Sequence, residues 1–267
     1  MKANSRLPIG SQYYRLAPSK RTERSAPRYT IGSMCGRYRL SSTERFLERF
    51  EIENEIELAP RYNIAPCQQV PVVRQHRERP VRTASMMRWG LIPHWSKDDK
   101  SAAKMINARS ETVAERPAFR EPIQRHRCLI PANGFYEWAR SGPGKQPYHF
   151  GMADDSLFAF AGIWDRWKSP SGELVESCSI LTTSANALLA DIHDRMPVIL
   201  RDEDYDLWLD PGYQHGEGIL EMLRPYDASA MKRYPVSKRV NSVNNEDAEC
   251  DAEVNLQGAP ATTLFPM

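Results

Sequence analysis

Leu157-Phe158-Ala159-Phe160-Ala161-Gly162-Ile163, then Ser169-Pro170-Ser171-Gly172, then Leu174-Val175-Glu176-Ser177-Cys178-Ser179-Ile180-Leu181-Thr182 reads as two strands joined by a turn. The first run is apolar and too short for an average helix, and the Ser-Pro-Ser-Gly cluster between the runs is turn chemistry. Working outward, residues 148–151 form the preceding strand, and the Gly/Pro-rich stretch 141–147 is a hairpin end. Arg127-Cys128-Leu129-Ile130-Pro131 is a further strand, closed by the turn signal Asn133-Gly134. Val70–Val73 and Val81–Trp89 add two more.

Helical signals are short. Ser41-Ser42-Thr43-Glu44 has the capping-box pattern and leads into Phe46, Leu47 and Phe50 on one face. Asn107–Thr112 opens a short helix, Ser184 caps one through Leu188 and Leu189, and Asp202 caps one holding Tyr205 and Trp208. Pro60-Arg61-Tyr62-Asn63-Ile64-Ala65-Pro66 is a proline-bracketed loop. No repeat or linker interrupts 34–243. The expected fold class is α+β: a single domain with a curved, largely antiparallel, barrel-like β-sheet core flanked by short helices.

The 267 residues are 41% apolar and 26% charged, which suits a globular chain. No apolar run approaches the ~20 residues of a membrane-spanning helix, so no membrane partner is expected. The five cysteines are odd in number, widely spaced and without a CxxC, which reads as reduced intracellular thiols. The net charge of +2 is uneven: residues 1–33 carry +6, residues 244–267 carry −5, and the body 34–243 carries +1. The body is therefore not a generally basic nucleic-acid binder, and any anion site comes from local clustering. Residues 1–33 read as a disordered basic leader, wrongly assigned to the chain or removed, and residues 244–267 as a flexible acidic tail.

Met34-Cys35-Gly36-Arg37-Tyr38 puts a cysteine directly after a methionine. If the working chain opens at Cys35, one residue carries both a free α-amine and a thiol. That pair condenses with an aldehyde to a Schiff base and closes to a thiazolidine ring. A free α-amine titrates at about 7.7–8.0, so part of it is nucleophilic near neutrality. Glu137, between Tyr136 and Trp138, is an acid in apolar surroundings, as general acid/base work requires. His193 sits in a loop before Asp194 and Arg195 and suits proton transfer. Arg37, Arg109 and Arg195 adjoin candidate residues and suit bidentate phosphate contacts. Trp89, Trp95, Tyr136 and Trp138 offer faces for unpaired bases, at about 1–3 kcal/mol per base. Each has a plainer reading: an inert buried cysteine, a solvent-facing edge glutamate, an idle loop histidine, tryptophans packed as core. His126 and Cys128 lack a second ligand pair, so no metal is expected.

Taken in order, Met-Cys-Gly-Arg-Tyr (34–38), Pro-Arg-Tyr-Asn-Ile-Ala-Pro (60–66), Trp-Gly-Leu-Ile-Pro-His-Trp (89–95), Asn-Ala-Arg-Ser-Glu-Thr (107–112), Pro-Ala-Asn-Gly-Phe-Tyr-Glu-Trp (131–138) and His-Asp-Arg-Met-Pro (193–197) resemble the SOS-response-associated peptidase family across 34–243. The resemblance implies a sensor of abasic sites in single-stranded DNA that crosslinks the ring-opened sugar through its N-terminal cysteine. It implies Cys35 as the crosslinking residue, Asn107 as its positioner, Glu137 as acid/base, and His193 as the group assisting ring-opening and Schiff-base steps. Arg37, Arg109 and Arg195 would hold phosphates, with Trp89, Trp138 and Pro66 near the flanking bases. It further implies no cofactor, self-cleavage that exposes the cysteine, a monomer near replication-fork machinery, and, in a bacterium, a cytoplasmic, nucleoid-associated location. The 33 residues before Met34 depart from the family pattern. Two rival readings stand beside this one: a noncatalytic binder of single-stranded or modified DNA, and a cysteine peptidase using Cys35 and His193. The peptidase lacks an identifiable oxyanion hole.

Overall fold

The computed structural model describes residues 36–256, except 77, 142–143 and 214–215. The expected leader 1–33, Cys35 and the end of the acidic segment lie outside the described residues. The chain runs from β1 (Tyr38–Leu40) through a one-turn helix, α1 (Phe46–Arg49), to β2 (Arg61–Ile64), β3 (Gln69–Gln75) and β4 (Arg82–Trp89). Then come β5 (Asn107–Arg109), α2 (Pro122–Arg125), β6 (Arg127–Ala132), β7 (Gly134–Ser141) and β8 (Gly144–Met152). The long strands β9 (Phe158–Lys168) and β10 (Leu174–Ser184) precede β11 (Arg195–Pro197), α3 (Tyr205–Leu209), α4 (Gly216–Glu221) and β12 (Met231–Pro235).

β9 and β10 form the expected antiparallel hairpin, from Leu174↔Lys168 to Ile180↔Gly162. That hairpin closes a ring. β10 pairs with β4, β4 with β3, β3 with β6, and β6 with β9. Every pairing in the ring is antiparallel except β4–β10, where Ser177↔Arg88 and Cys178↔Trp89 run parallel. Phe158–Ile163 is apolar at successive positions rather than alternating because both faces of the strand are covered: all six residues are buried. A second sheet, in the order β12-β8-β7-β1-β2, packs on the barrel. Aromatic rings join the two layers. Phe135 stacks on Phe150 at 5.3 Å, and Tyr38 and Phe135 both meet Phe160 edge-on, at 5.7 and 6.0 Å. The fold is α+β, mostly sheet, as the sequence suggests. Among the described residues no helix is long and apolar enough to cross a membrane.

Local expectations fare unevenly. Asn133-Gly134 is not a hairpin turn: it is the point where the chain leaves the barrel (β6) for the second sheet (β7). Glycine is needed there because a Cβ on Gly134 would fall 1.9 Å from His149 Nε2. The capping box does not form. Asn133 donates its Nδ2–H groups to the Ser41 and Ser42 hydroxyl oxygens and accepts the Ser41 N–H at Oδ1, and α1 starts later without a side-chain cap. Phe46 and Phe50 are buried as expected, whereas Leu47 is exposed. Residues 61–64 are a strand rather than a loop, because β1 offers them an antiparallel edge. Asn107–Arg109 is also a strand, pairing parallel with β10 rather than opening a helix. Between Ser184 and β11, residues 185–194 form turns rather than the expected helix.

The acidic segment 244–256 is packed, which corrects the expectation of a free tail over those residues. Its carboxylates meet arginines of the body: Glu246 with Arg61, Asp247 with Arg239, and Asp251 with Arg39. Cys250 is fully buried, and the Val254 N–H bonds Pro235 O. The charge asymmetry was real, but it is used within the molecule.

Candidate active site and DNA-facing surface

The first wall comes from β1 and β7. Tyr38↔Phe135 and Arg39↔Gly134 are antiparallel partners, and the Tyr136 N–H donates to Arg37 O. Continued by two residues, this register brings Gly36, the residue after Cys35, level with Glu137. Glu137 is only 4% exposed, so it is not a solvent-facing edge glutamate. Arg37 is fixed by donating one nitrogen to Asn63 Oδ1 (2.7 Å) and Val240 O (2.8 Å). Its guanidinium lies 5.9 Å from the Trp138 ring centre. Burial lowers the Arg37 pKa, with Cys250 and Glu246 opposing. Trp138 is half-buried and donates Nε1–H to Asn241 Oδ1 at 2.7 Å. Pro66 is half-buried in the turn that follows β2.

The second wall forms at the C-terminal end of β10. Ile180 pairs with Asn107, Thr182 with Arg109, and Ser184 with Arg195. One strand end thus collects three of the residues singled out above. His193 precedes β11 by two residues and its side chain is 28% exposed. Its Nδ1 accepts the Arg195 N–H at 3.1 Å, which makes Nε2 the protonated nitrogen of the neutral ring. Asp194 Oδ1 also lies 3.0 Å from Nδ1. The two contacts exclude each other, since one needs a lone pair on Nδ1 and the other a proton. The neutral ring keeps the backbone bond and leaves Asp194 outward.

The walls are tied by two contacts. Trp89 packs edge-on against Tyr38 (5.2 Å) and donates Nε1–H to Ile106 O (2.9 Å), one residue before Asn107. On the other flank, Tyr148, paired with Glu137, lies under the Arg233 guanidinium. Arg233 in turn bonds Leu188 O and Asp191 in the loop leading to His193.

Two site assignments need correction. Trp89 is 0% exposed and offers no face to a base; its volume and its N–H are spent on the core. In the same motif Trp95 is 56% exposed and does offer one. The chain turns between them at Gly90, where a φ of +131° and a Cβ that would fall 2.8 Å from Ala102 O exclude a side chain. Arg195 is 8% exposed, pairs bidentately with Glu111 (2.7 and 2.9 Å) and donates to Thr182 O (2.6 Å). It is committed to joining β10, β11 and the 110–112 turn, not free for phosphate. Arg109 is exposed.

Sequence reasoning missed the scaffold under Arg37. Asn63 is fully buried and, besides Arg37, its Nδ2 donates to the carbonyls of Ser242 (2.9 Å) and Asn245 (2.7 Å). Its backbone N–H donates to Glu246 Oε1 at 3.0 Å. An asparagine inside a run of bulky and apolar residues was the available signal.

This arrangement can be set beside known proteins. Residues 34–243 match the family described as SOS response associated peptidase (SRAP). The chain belongs to the SRAP family. All the candidate residues fall inside the matched span, and Glu246 and Asp251 lie just beyond it. Abasic site processing protein YoqW of Bacillus subtilis is 44% identical over 221 residues, covering 81% of this chain and 98% of that protein. Abasic site processing protein HMCES of Gallus gallus is 35% identical over 231 residues, covering 75% of this chain and 68% of that protein. A crystal structure of a Bacteroides thetaiotaomicron protein superposes with a TM-score of 0.74 at 30% identity, covering 83% of this chain and all of that one.

Proposed function

We propose that this protein processes abasic sites in single-stranded DNA, capturing the ring-opened sugar covalently through Cys35. The observation that carries the reading is the β1–β7 register. It runs the backbone that leads to Cys35 along the strand bearing the buried carboxylate of Glu137. Relatives named as abasic site processing proteins support the same lesion.

In this reading the working chain opens at Cys35, through cleavage after Met34 by the protein itself or another agent. The uncharged α-amine adds to the sugar aldehyde, and loss of water gives an imine. The thiol then adds across C=N, its proton passing to nitrogen, and the ring closes as a thiazolidine. The net change is one water released, with no oxidation or reduction. Glu137 takes the proton from the attacking amine and returns it as water leaves. His193, protonated on Nε2 when neutral, donates toward the sugar ring oxygen during opening. Asn107 positions the cysteine. Arg37 and Arg109 hold phosphates, and Trp138 and Pro66 border the flanking bases. Backbone and an absent base are all that is read, so base sequence matters little.

Incubating the Cys35-terminal protein with a single-stranded oligonucleotide carrying one abasic site tests this. A heat-stable adduct is expected from the wild type and none from Cys35→Ala. An equal yield from both removes the assignment.

A further inference from the structure

A cleft of about 600 Å³ opens away from the two walls described above, and none of their candidate residues lines it. That volume lies within the ordinary range of ligand sites, about 300–1,000 Å³. Strand β10 measures the separation. Glu176, opposite Arg166, marks the cleft end, and Thr182, opposite Arg109, marks the lesion end. Six residues at about 3.3 Å each put the two about 20 Å apart.

The cleft's charge is not balanced. Arg74 and Arg166 share one carboxylate, Glu176. Asp165 is occupied by His94, accepting its backbone N–H at 2.8 Å and lying 3.0 Å from Nδ1. Arg127 is buried and donates only to backbone carbonyls, those of Ile123, Gln124, Trp208, Asp210 and Tyr213. Those dipoles solvate the guanidinium without neutralising it, and burial pushes its pKa down to about 10. A cation so placed projects its field with little screening. Arg125 is exposed at the rim, and Glu121, 3.9 Å from His94 Nε2, is like Asp165 a cleft carboxylate without an arginine, so the four arginines exceed the three carboxylates by one.

A path joins the two ends. Arg109, Arg116, Arg120 and Arg125 are all exposed on the segment that runs from β5 to the cleft, and none is in an ion pair among the described residues. Glu111 in that stretch is already spent on Arg195. The exposed Trp95 adjoins His94 at the rim. We propose that the cleft holds phosphates of the DNA strand continuing beyond the lesion, extending the footprint along 109–125 to Arg125, with the buried Arg127 contributing its field and no direct contact. This rests on the lesion reading above. Trp164 in the cleft is already stacked by His126 (4.7 Å) and covered by Arg74 (4.6 Å). The contacts offered are therefore to phosphate, insensitive to base and sensitive to salt.

The experiment compares the Cys35-terminal protein with short abasic oligonucleotides and with ones extended on either side. Noncovalent affinity is measured across a salt series, adduct formation is scored separately, and a fluorescent mononucleotide is titrated alone. Extension on one side is expected to tighten binding. Arg125→Glu is expected to remove that gain and lower the single-strand salt slope by about 0.7 per lost phosphate contact. Adduct formation on the short oligonucleotide should be unchanged. The proposal is overturned if extension on neither side helps, or if Arg125→Glu weakens short and long oligonucleotides equally. It is also overturned if the variant loses only mononucleotide binding, which would make the cleft a free-nucleotide site. Absence of any wild-type adduct would instead remove the lesion chemistry, and the length dependence of affinity would still decide the cleft.

Discussion

Trp89 donates its indole N–H to Ile106 O at 2.9 Å, so a buried ring in the barrel fixes the backbone one residue ahead of Asn107. The same ring packs on Tyr38, three residues after Cys35. Trp89 therefore serves the site from beneath. Trp89→Phe keeps most of the apolar volume but removes one of the two hydrogen bonds to Ile106 O, which still accepts the Ile180 N–H at 2.9 Å, at a cost of about 0.5–1.5 kcal/mol. A lower urea midpoint with an unchanged slope is the expected result, and an unshifted midpoint would show that the bond is dispensable.

Arg195 and Glu111 supply a pH signature. The hydrogen bond from Arg195 is the main reason the Glu111 carboxyl lies below its ordinary value of 4.5. A carboxylate depressed in the folded state stabilises the fold above its unfolded pKa and loses that contribution as pH falls through the folded value. Glu111→Gln should flatten this part of the acid limb of a stability-versus-pH curve and lower stability at pH 7. A variant curve parallel to wild type from pH 7 down to 3 would rule the pairing out as a stabilising element.

What the sequence made legible follows from what each signal measures. The β9–β10 hairpin was readable because apolar runs and a Ser-Pro-Ser-Gly turn are local. The closing β4–β10 pairing was not, because a parallel contact between Trp89 and Cys178 leaves no mark at either position. Asn107–Arg109 looked like a helix start and is a strand, since β10 supplies an edge that only the fold reveals. Among the site residues, motif order picked out the stretch 89–95 but not which tryptophan faces outward. Burial separates them: Trp89 has none of its surface exposed and Trp95 has 56%. The acids of 244–256 were visible, but their arginine partners lie far away in sequence.

Trp95 follows directly. It is large, exposed and next to the loop pinned to β9 by the Trp167 Nε1–H bond to Ser96 O at 2.6 Å. Trp95→Ala should leave the melting temperature nearly unchanged and weaken single-stranded DNA binding by about 1–3 kcal/mol, the worth of one stacked base. Fluorescence anisotropy with a labelled oligonucleotide reads this. Equal affinity of variant and wild type would exclude Trp95 from the DNA-facing surface.

Asp251 offers the opposite pH sign from Glu111. It accepts hydrogen bonds from the Tyr234 hydroxyl (3.1 Å) and the Tyr136 hydroxyl (3.3 Å) and pairs with the buried Arg39. Burial nevertheless raises its carboxyl above the ordinary 3.8, with Arg39 opposing. A raised folded-state pKa contributes stability that is complete below the unfolded value and is lost as pH rises through the folded one. At neutral pH the carboxylate thus carries a desolvation cost that its partners offset only in part. Asp251→Asn removes that cost but leaves Arg39 buried without a counter-charge, and breaking such a pair costs about 3–5 kcal/mol. The second effect is larger, so the variant should be less stable than wild type at pH 7. Replacing both partners, Arg39→Met with Asp251→Leu, should recover most of the loss, because neither charge is then left alone. Chemical denaturation of the three proteins decides the matter: a double variant no more stable than the single one would mean that Asp251 holds the 244–256 segment through its tyrosine contacts rather than through Arg39.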